Sequence, residues 1–240
     1  MEQIYHVYNR GVDKRNVFLN DEDYYRFIHD LFEFNDVSLV SSNFGRSVNQ
    51  LMGVQHPSIG EKGKSRKSRE KFKRRRDLLV EIIAFCLMPN HYHLLLRPIK
   101  DNGIILFMKK MGGGYTNYFN EKYKRSGALF QGRYKKVLVE NPNHFEYLGF
   151  YTHCNSLDLK YPEWRDGKIS NAKEAMEYLE NYRWSSLPDY LGKKNFPSVT
   201  QRELLQHQEG PLGYKNQLQE WLSDLERNKK FLMDKTLTLE

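Results

Sequence analysis

The segment Leu78 to Met88 is a nearly continuous apolar run, as a strand buried on both faces requires. Pro89-Asn90 breaks it, and His91 to Arg97 resumes as a second strand. Two strands with so short a connection form a β-hairpin. The rest of the chain has to be arranged around that hairpin.

Ile4 to Arg10 alternates as a strand and is closed by Gly11. Asn20 or Asp21 caps a helix whose Tyr24, Phe27, Ile28, Leu31 and Phe32 recur at helical spacing. A helix is expected from about Gly103 to Tyr123, kinked or split at Gly112-Gly113-Gly114, because each glycine costs roughly 1 kcal/mol relative to alanine. Arg133 to Glu140 reads as a strand. Asn141-Pro142 opens a helix carrying Phe145, Leu148, Tyr151 and Thr152. Asn171 to Tyr182 is a further helix. Thr200 to Leu237 is a helical tail with an apolar stripe at Leu218, Trp221, Leu222 and Leu225, which packs on its own domain or on a second copy. The core order is βαββαβ, so the expected class is α+β: a ferredoxin-like antiparallel sheet with helices on one face and appended C-terminal helices. The expected division is a domain over residues 1–192, with a basic, flexible insertion at about 36–77, and a helical extension over 193–240.

Composition removes several classes. Aromatic residues make up 14% of the 240, too many for wholesale disorder. Two cysteines, Cys86 and Cys154, outside any C-x-x-C pair, exclude a disulfide framework and a standard structural zinc site. No stretch reaches the roughly 18 apolar residues of a membrane span. The first residues carry no basic-then-apolar signal pattern, so a soluble cytoplasmic protein is expected. The net charge of +8 is concentrated: Glu61 to Arg76 holds ten Lys/Arg against two Glu, and the remainder of the chain is balanced. Such a run stays solvated and attracts a polyanion, with binding that weakens steeply in salt. Lys73, Arg74, Arg75 and Arg76 end it and are candidate nucleic-acid contacts.

His91-Tyr92-His93 is the sharpest chemical signal. On a strand, His91 and His93 share one face and Tyr92 takes the other, so two imidazoles can converge on one metal ion. His-x-His alone also describes a solvated or hydrogen-bonded pair. Neither Cys86 nor Asp101 completes a recognised ligand pattern. The helix near residue 150 offers Tyr151 and Asn155, one turn apart on a shared face, with His153 on roughly the opposite side. His6, on the first strand, reads as a hydrogen-bonded sheet histidine, and Trp184 as core.

Six segments together resemble the single-tyrosine HUH transposases (IS200-like), and within them the REP-associated tyrosine transposases. They are His6 to Gly11, Leu87 to Leu96, Tyr115 to Asn120, Phe130 to Lys135, Tyr151 to Asn155 and Tyr182 to Ser186, in family order across residues 4 to 192. The usual Asn-Pro after the tyrosine helix is Asn155-Ser156 here. The resemblance implies that His91 and His93 bind a divalent metal with Asn155 as third protein ligand, and that Tyr151 is the nucleophile. It implies Mg²⁺ or Mn²⁺ and a single-stranded DNA substrate with hairpin-forming ends, without membrane or nucleotide cofactor. Within the matching segments Arg10, Gln131, Arg133 and Lys135 are candidate DNA contacts; a structural salt bridge is the competing role for Arg133.

On this reading Tyr151 attacks phosphorus and leaves a 5′-phosphotyrosine and a free 3′-hydroxyl. The covalent bond keeps the phosphoester energy, so the step reverses without ATP. Tyr115 and Tyr118 are the rival nucleophiles; the competing role for both is core packing or DNA stacking. Two other functions are weighed: a domesticated DNA- or RNA-binding regulator without turnover, and a metal phosphohydrolase without a covalent step. Monomer and homodimer both remain open.

Overall fold

The computed structural model describes residues 3–38, 76–139, 142–206 and 210–225. Strands β1 (Ile4–Arg10), β2 (Val80–Met88), β3 (His91–Pro98) and β4 (Lys135–Val139) form one sheet in the order β2-β3-β1-β4, antiparallel throughout. This is the ferredoxin-like arrangement the element order predicts. The apolar hairpin supplies β2 and β3, and β1 inserts between β3 and β4. The edge strand β4 carries exposed Lys135 and Lys136, which discourage further pairing.

Helices α1 (Asp21–Glu33) and α2 (Gly103–Lys122) cover one face of the sheet. Asn20 starts α1 through a capping box with Asp23. Its Phe27, Ile28 and Leu31 join Val7, Phe85, Leu94 and Phe107 in one core cluster. Helix α2 is continuous through its three glycines, contrary to the expected kink. Buried Phe107, Met108, Met111, Tyr115 and Phe119 anchor it on both sides of the weak stretch, so tertiary packing overrides local propensity. Gly114 has a direct steric reason, since a Cβ there would collide with the ring of Phe34.

The appended helices, which the expectation left unplaced, cover the opposite face. Helix α3 (Pro142–Cys154) lies against β2 and β3. Two 3₁₀ segments, Asn155–Leu159 and Pro162–Asp166, follow it. After them come α4 (Ala172–Asn181), the short α5 (Leu187–Tyr190) and α6 (Glu203–Gln206), and α7 (Gly210–Ser223). Leu218, Trp221, Leu222 and Leu225 are buried in a second core cluster with Leu148, Tyr151, Trp164 and Leu95, so the stripe packs on its own chain. A bulge in β2 between Ile82 and Ala84 serves both faces. It lets Ile82, Phe85 and Leu87 point to the first cluster and Ile83 and Ala84 to the second.

The basic insertion lies almost wholly outside the described residues, and Lys73, Arg74 and Arg75 with it. Its two ends meet, with the Val37 N–H donating to the Asp77 carbonyl at 2.9 Å. No described helix is long and apolar enough to cross a membrane.

The two glycine environments separate in a stability measurement. Gly114→Ala is expected to lose about 1–3 kcal/mol through overpacking. Gly112→Ala, whose added Cβ meets nothing within 4 Å, is expected to gain up to about 1 kcal/mol of helix propensity. Urea midpoints at constant m value check both.

Candidate active site

The sheet register fixes the imidazoles. Tyr8 lies opposite His93 and Arg10 opposite His91 on β1 and β3. His6, His91 and His93 all stand on the face covered by α3. The rings of His6 and His93 stack with centroids 5.1 Å apart, and His91 meets His93 edge-on at the same distance. His6 Nε2 and His93 Nδ1 share a hydrogen bond of 2.9 Å. His91 Nδ1 lies 2.6 Å from Asn90 Oδ1. A carboxamide oxygen only accepts, so Nδ1 of His91 carries the proton and its Nε2 keeps a lone pair. Asn90 Nδ2 donates to the Lys14 carbonyl at 3.3 Å, which fixes the orientation of that amide.

Burial holds these rings neutral. Desolvation lowers the pKa of His6 and of His91 to about 3, with Arg10 and Arg165 adding to the effect at His91. His93 is lowered well below the usual imidazole value by desolvation, then by its two histidine neighbours and the two arginines.

Helix α3 brings the phenol to the same place. The Tyr151 ring centroid is 6.0 Å from that of His93 and 6.1 Å from that of His6, both edge-on. Tyr151 has 0% of its surface exposed. Its hydroxyl accepts from Arg165 Nη1 at 2.9 Å. Arg165 Nη2 also donates to Asn155 Oδ1 at 3.0 Å, and Asp158 receives Nε at 2.8 Å and Nη2 at 2.7 Å. Asn155 Nδ2 donates back to the Tyr151 carbonyl at 2.7 Å. One guanidinium thus ties the phenol and the carboxamide oxygen to a carboxylate. Burial raises the Tyr151 pKa and Arg165 opposes the rise.

The donor set fits a divalent ion in a limited way. Among the described residues no group of three or more His, Cys, Asp or Glu could hold a metal. Two imidazole nitrogens are nevertheless available. His91 Nε2 has its lone pair, and His93 Nε2 is buried without a hydrogen-bond partner. The other nitrogen of each ring is engaged, as is usual behind a metal-bound histidine. Asn155 Oδ1 accepts one hydrogen bond and keeps a second lone pair.

Arg10, Gln131, Arg133 and Lys135 come together. With Tyr8 and Asn9 they line one cavity of about 170 Å³ at the end of the sheet. Arg76 is placed differently. Its guanidinium lies over the Phe32 ring and donates to the Phe32 carbonyl in the last turn of α1 and to the Asn35 carbonyl just beyond it, a favourable cation at a helix C-terminus. Tyr115 is fully buried and donates to the Val17 carbonyl at 2.6 Å, and Tyr118 donates to Asp23 at 3.0 Å. His153 is buried behind α3 between Tyr214 and Ser186, at 2.7 and 2.8 Å. Trp184 is partly buried and stacks on Tyr24.

Two site residues escape sequence reasoning. His6 is hydrogen-bonded in the sheet as expected, but its partner is a site histidine. The parity Ile4, His6, Tyr8 on a strand beside β3 is the signal that points to it. Arg165 sits in a 3₁₀ turn, in no motif; only its position ten residues after Asn155, beyond a helix end, marks it.

Residues 63–153 match the family model described as Transposase IS200 like. The family read from the motifs is the one this model describes. A solved structure described as the REP-associated tyrosine transposase bound to a REP hairpin aligns at 9% identity and a TM-score of 0.45, over 87% of this chain and 90% of that one. A search of curated proteins finds no match.

The buried imidazoles predict a pH dependence with a definite sign. His6, His91 and His153 have folded pKa values of about 3, whereas unfolded histidine titrates near 6.5. Below that pH the unfolded chain binds more protons, so stability falls with acidification, by up to about 1.4 kcal/mol per pH unit per histidine. Urea midpoints should drop between pH 7.5 and pH 5, and His153→Gln should flatten the drop. Equal midpoints would contradict the burial of neutral rings.

Proposed function

We propose that the chain, IS200-like over residues 63–153, is a transposase that cleaves and rejoins single-stranded DNA at hairpin-bearing ends through a 5′-phosphotyrosine on Tyr151. The observation that carries this reading is the approach of a phenol from α3 to the histidine cluster of the sheet, with the Tyr151 ring centroid 6.0 Å from that of His93 and His91 meeting His93 edge-on.

The chemistry follows from what each side chain can do. Tyr151 Oη forms a bond to phosphorus as the bond from phosphorus to the 3′-oxygen breaks. The phenol loses its proton and the departing 3′-oxygen gains one, so the products are a phosphotyrosine and a 3′-hydroxyl. The reverse attack by a 3′-hydroxyl restores the diester and the phenol. Arginine only donates, so the contact from Arg165 stabilises the oxygen of Tyr151 as its proton leaves. Asp158 holds the guanidinium in that position. His91, His93 and Asn155 would hold Mg²⁺ or Mn²⁺, which when bound draws charge from a nonbridging phosphate oxygen. The neutrality of the imidazoles, set by burial, leaves their lone pairs free for that role.

Tyr151 is fully buried, whereas the Arg165 side chain is 31% exposed. The guanidinium is thus the solvent-reachable partner of the phenol, and on this reading the phenol has to be uncovered before it reaches phosphorus. Burial of the phenol also supports a second reading, a DNA- or RNA-binding regulator that keeps the fold without turnover.

A labelled hairpin-bearing single strand incubated with Mn²⁺ and run on a denaturing gel separates these functions. The transposase reading expects a covalent protein–DNA band that disappears in Tyr151→Phe. Binding without the band supports the regulator, and cleavage that survives Tyr151→Phe supports a phosphohydrolase. In the same assay Arg165→Ala should slow band formation by roughly 10²-fold, the scale of losing one charge-stabilising donor.

A further inference from the structure

A second cavity, of about 500 Å³, lies on the other side of the sheet end. Its floor includes Tyr92, Met108, Leu129 and Phe130, all buried. One wall is the backbone of α2 at Gly112 and Gly113. These two glycines are not explained by the fold. Neither has a positive φ, and a Cβ built on either would meet nothing within 4 Å. Gly114 next to them is required by Phe34, but it does not line the cavity. The chain thus accepts two residues that weaken a helix, and what they keep open is space.

The rim is polar and cationic, with Asn9, Lys109, Arg133 and Tyr134. The Tyr134 hydroxyl oxygen is buried and has no hydrogen-bond partner among the described residues. Among the described residues no carboxylate lines this cavity or the smaller one formed with Tyr8, Arg10, Gln131 and Lys135. The two cavities share Asn9 and Arg133. Arg10, in the smaller one, lies opposite His91 in the sheet register. A continuous basic path therefore leads from the imidazole face, over the end of the sheet, to the glycine-walled cavity.

We propose that this cavity receives one unpaired nucleobase of the bound single strand, while Arg10, Arg133 and Lys135 hold the adjoining phosphates. The inference rests on the single-stranded DNA reading above and adds where a base is held. A nucleobase has the required shape and chemistry: flat apolar faces for Phe130 and Met108, and a polar edge for the rim. The cations beside the cavity match the backbone that has to accompany it.

Two hairpin DNAs with the same stem and equal charge test the proposal. One has short single-stranded flanks with all bases present, and in the other the flanks are abasic. Binding is read by fluorescence anisotropy. The wild-type protein is expected to bind the base-bearing probe roughly tenfold more tightly, within the range for a stacked base. In Gly112→Leu/Gly113→Leu, whose side chains fill the cavity, the preference should fall below about threefold. Gly112→Ala/Gly113→Ala, read by melting temperature, shows whether the helix tolerates side chains there, and each single leucine variant provides a milder block. A preference that survives the leucines in a folded variant overturns the proposal, as does equal binding of both probes by wild type. Failure of wild type to bind either probe overturns the single-stranded DNA reading, and this proposal with it.

Discussion

Desolvation of the imidazole face is the constraint on which the site depends. The sheet is covered on both sides, by α1 and α2 on one and by α3 with its following turns on the other. Histidines on the second face lose water and are held neutral. Neutral imidazoles have one donor and one acceptor nitrogen each, so the contact to Asn90 leaves the lone pair of His91 on Nε2, and the contact to His6 engages Nδ1 of His93 and leaves its Nε2 as the unengaged nitrogen. The same burial would strand the charge of Arg165 without Asp158, which engages it through two nitrogens. A structure that left this face wet would have solvated, protonatable histidines and no fixed tautomer.

The resulting geometry couples two elements far apart in sequence. His93 on β3 and Tyr151 on α3 meet only because α3 crosses β2 and β3. Arg165 then closes the group from the turn that follows. The helix is positioned by apolar side chains such as Leu148 and by the packing of Trp164 on Tyr151 and of Trp221 on Trp164. Chemistry and scaffold are therefore hard to separate here, since Tyr151 is at once a core ring and the candidate nucleophile.

Much of this was legible in the chain. The apolar hairpin, the alternation that sends His91 and His93 to one face, and the i, i+4 pair Tyr151 and Asn155 are local patterns, and local patterns are what periodicity reports. The kink expected at Gly112–Gly114 did not occur, because distant buried residues hold α2 straight. The side of the sheet taken by α3 is a tertiary choice that no residue period encodes. The bulge at Ile82/Ala84 is hidden because an apolar run has no alternation to interrupt. His6 was readable as a hydrogen-bonded sheet histidine, but its partner depends on β1 pairing with β3. Arg165 lies in an irregular turn, where sequence carries no geometric period.

Two phenols approach the imidazole cluster, Tyr151 and Tyr8, each with its ring centroid 6.0 Å from that of His93, and the proposed strand transfer runs through Tyr151. Mass spectrometry of the protease- and nuclease-digested complex with a hairpin-bearing single strand and Mn²⁺ tests it most directly. A nucleotide mass is expected on the peptide that contains Tyr151. A nucleotide on the peptide of Tyr115 and Tyr118, or covalent linkage at any residue other than Tyr151, would contradict it.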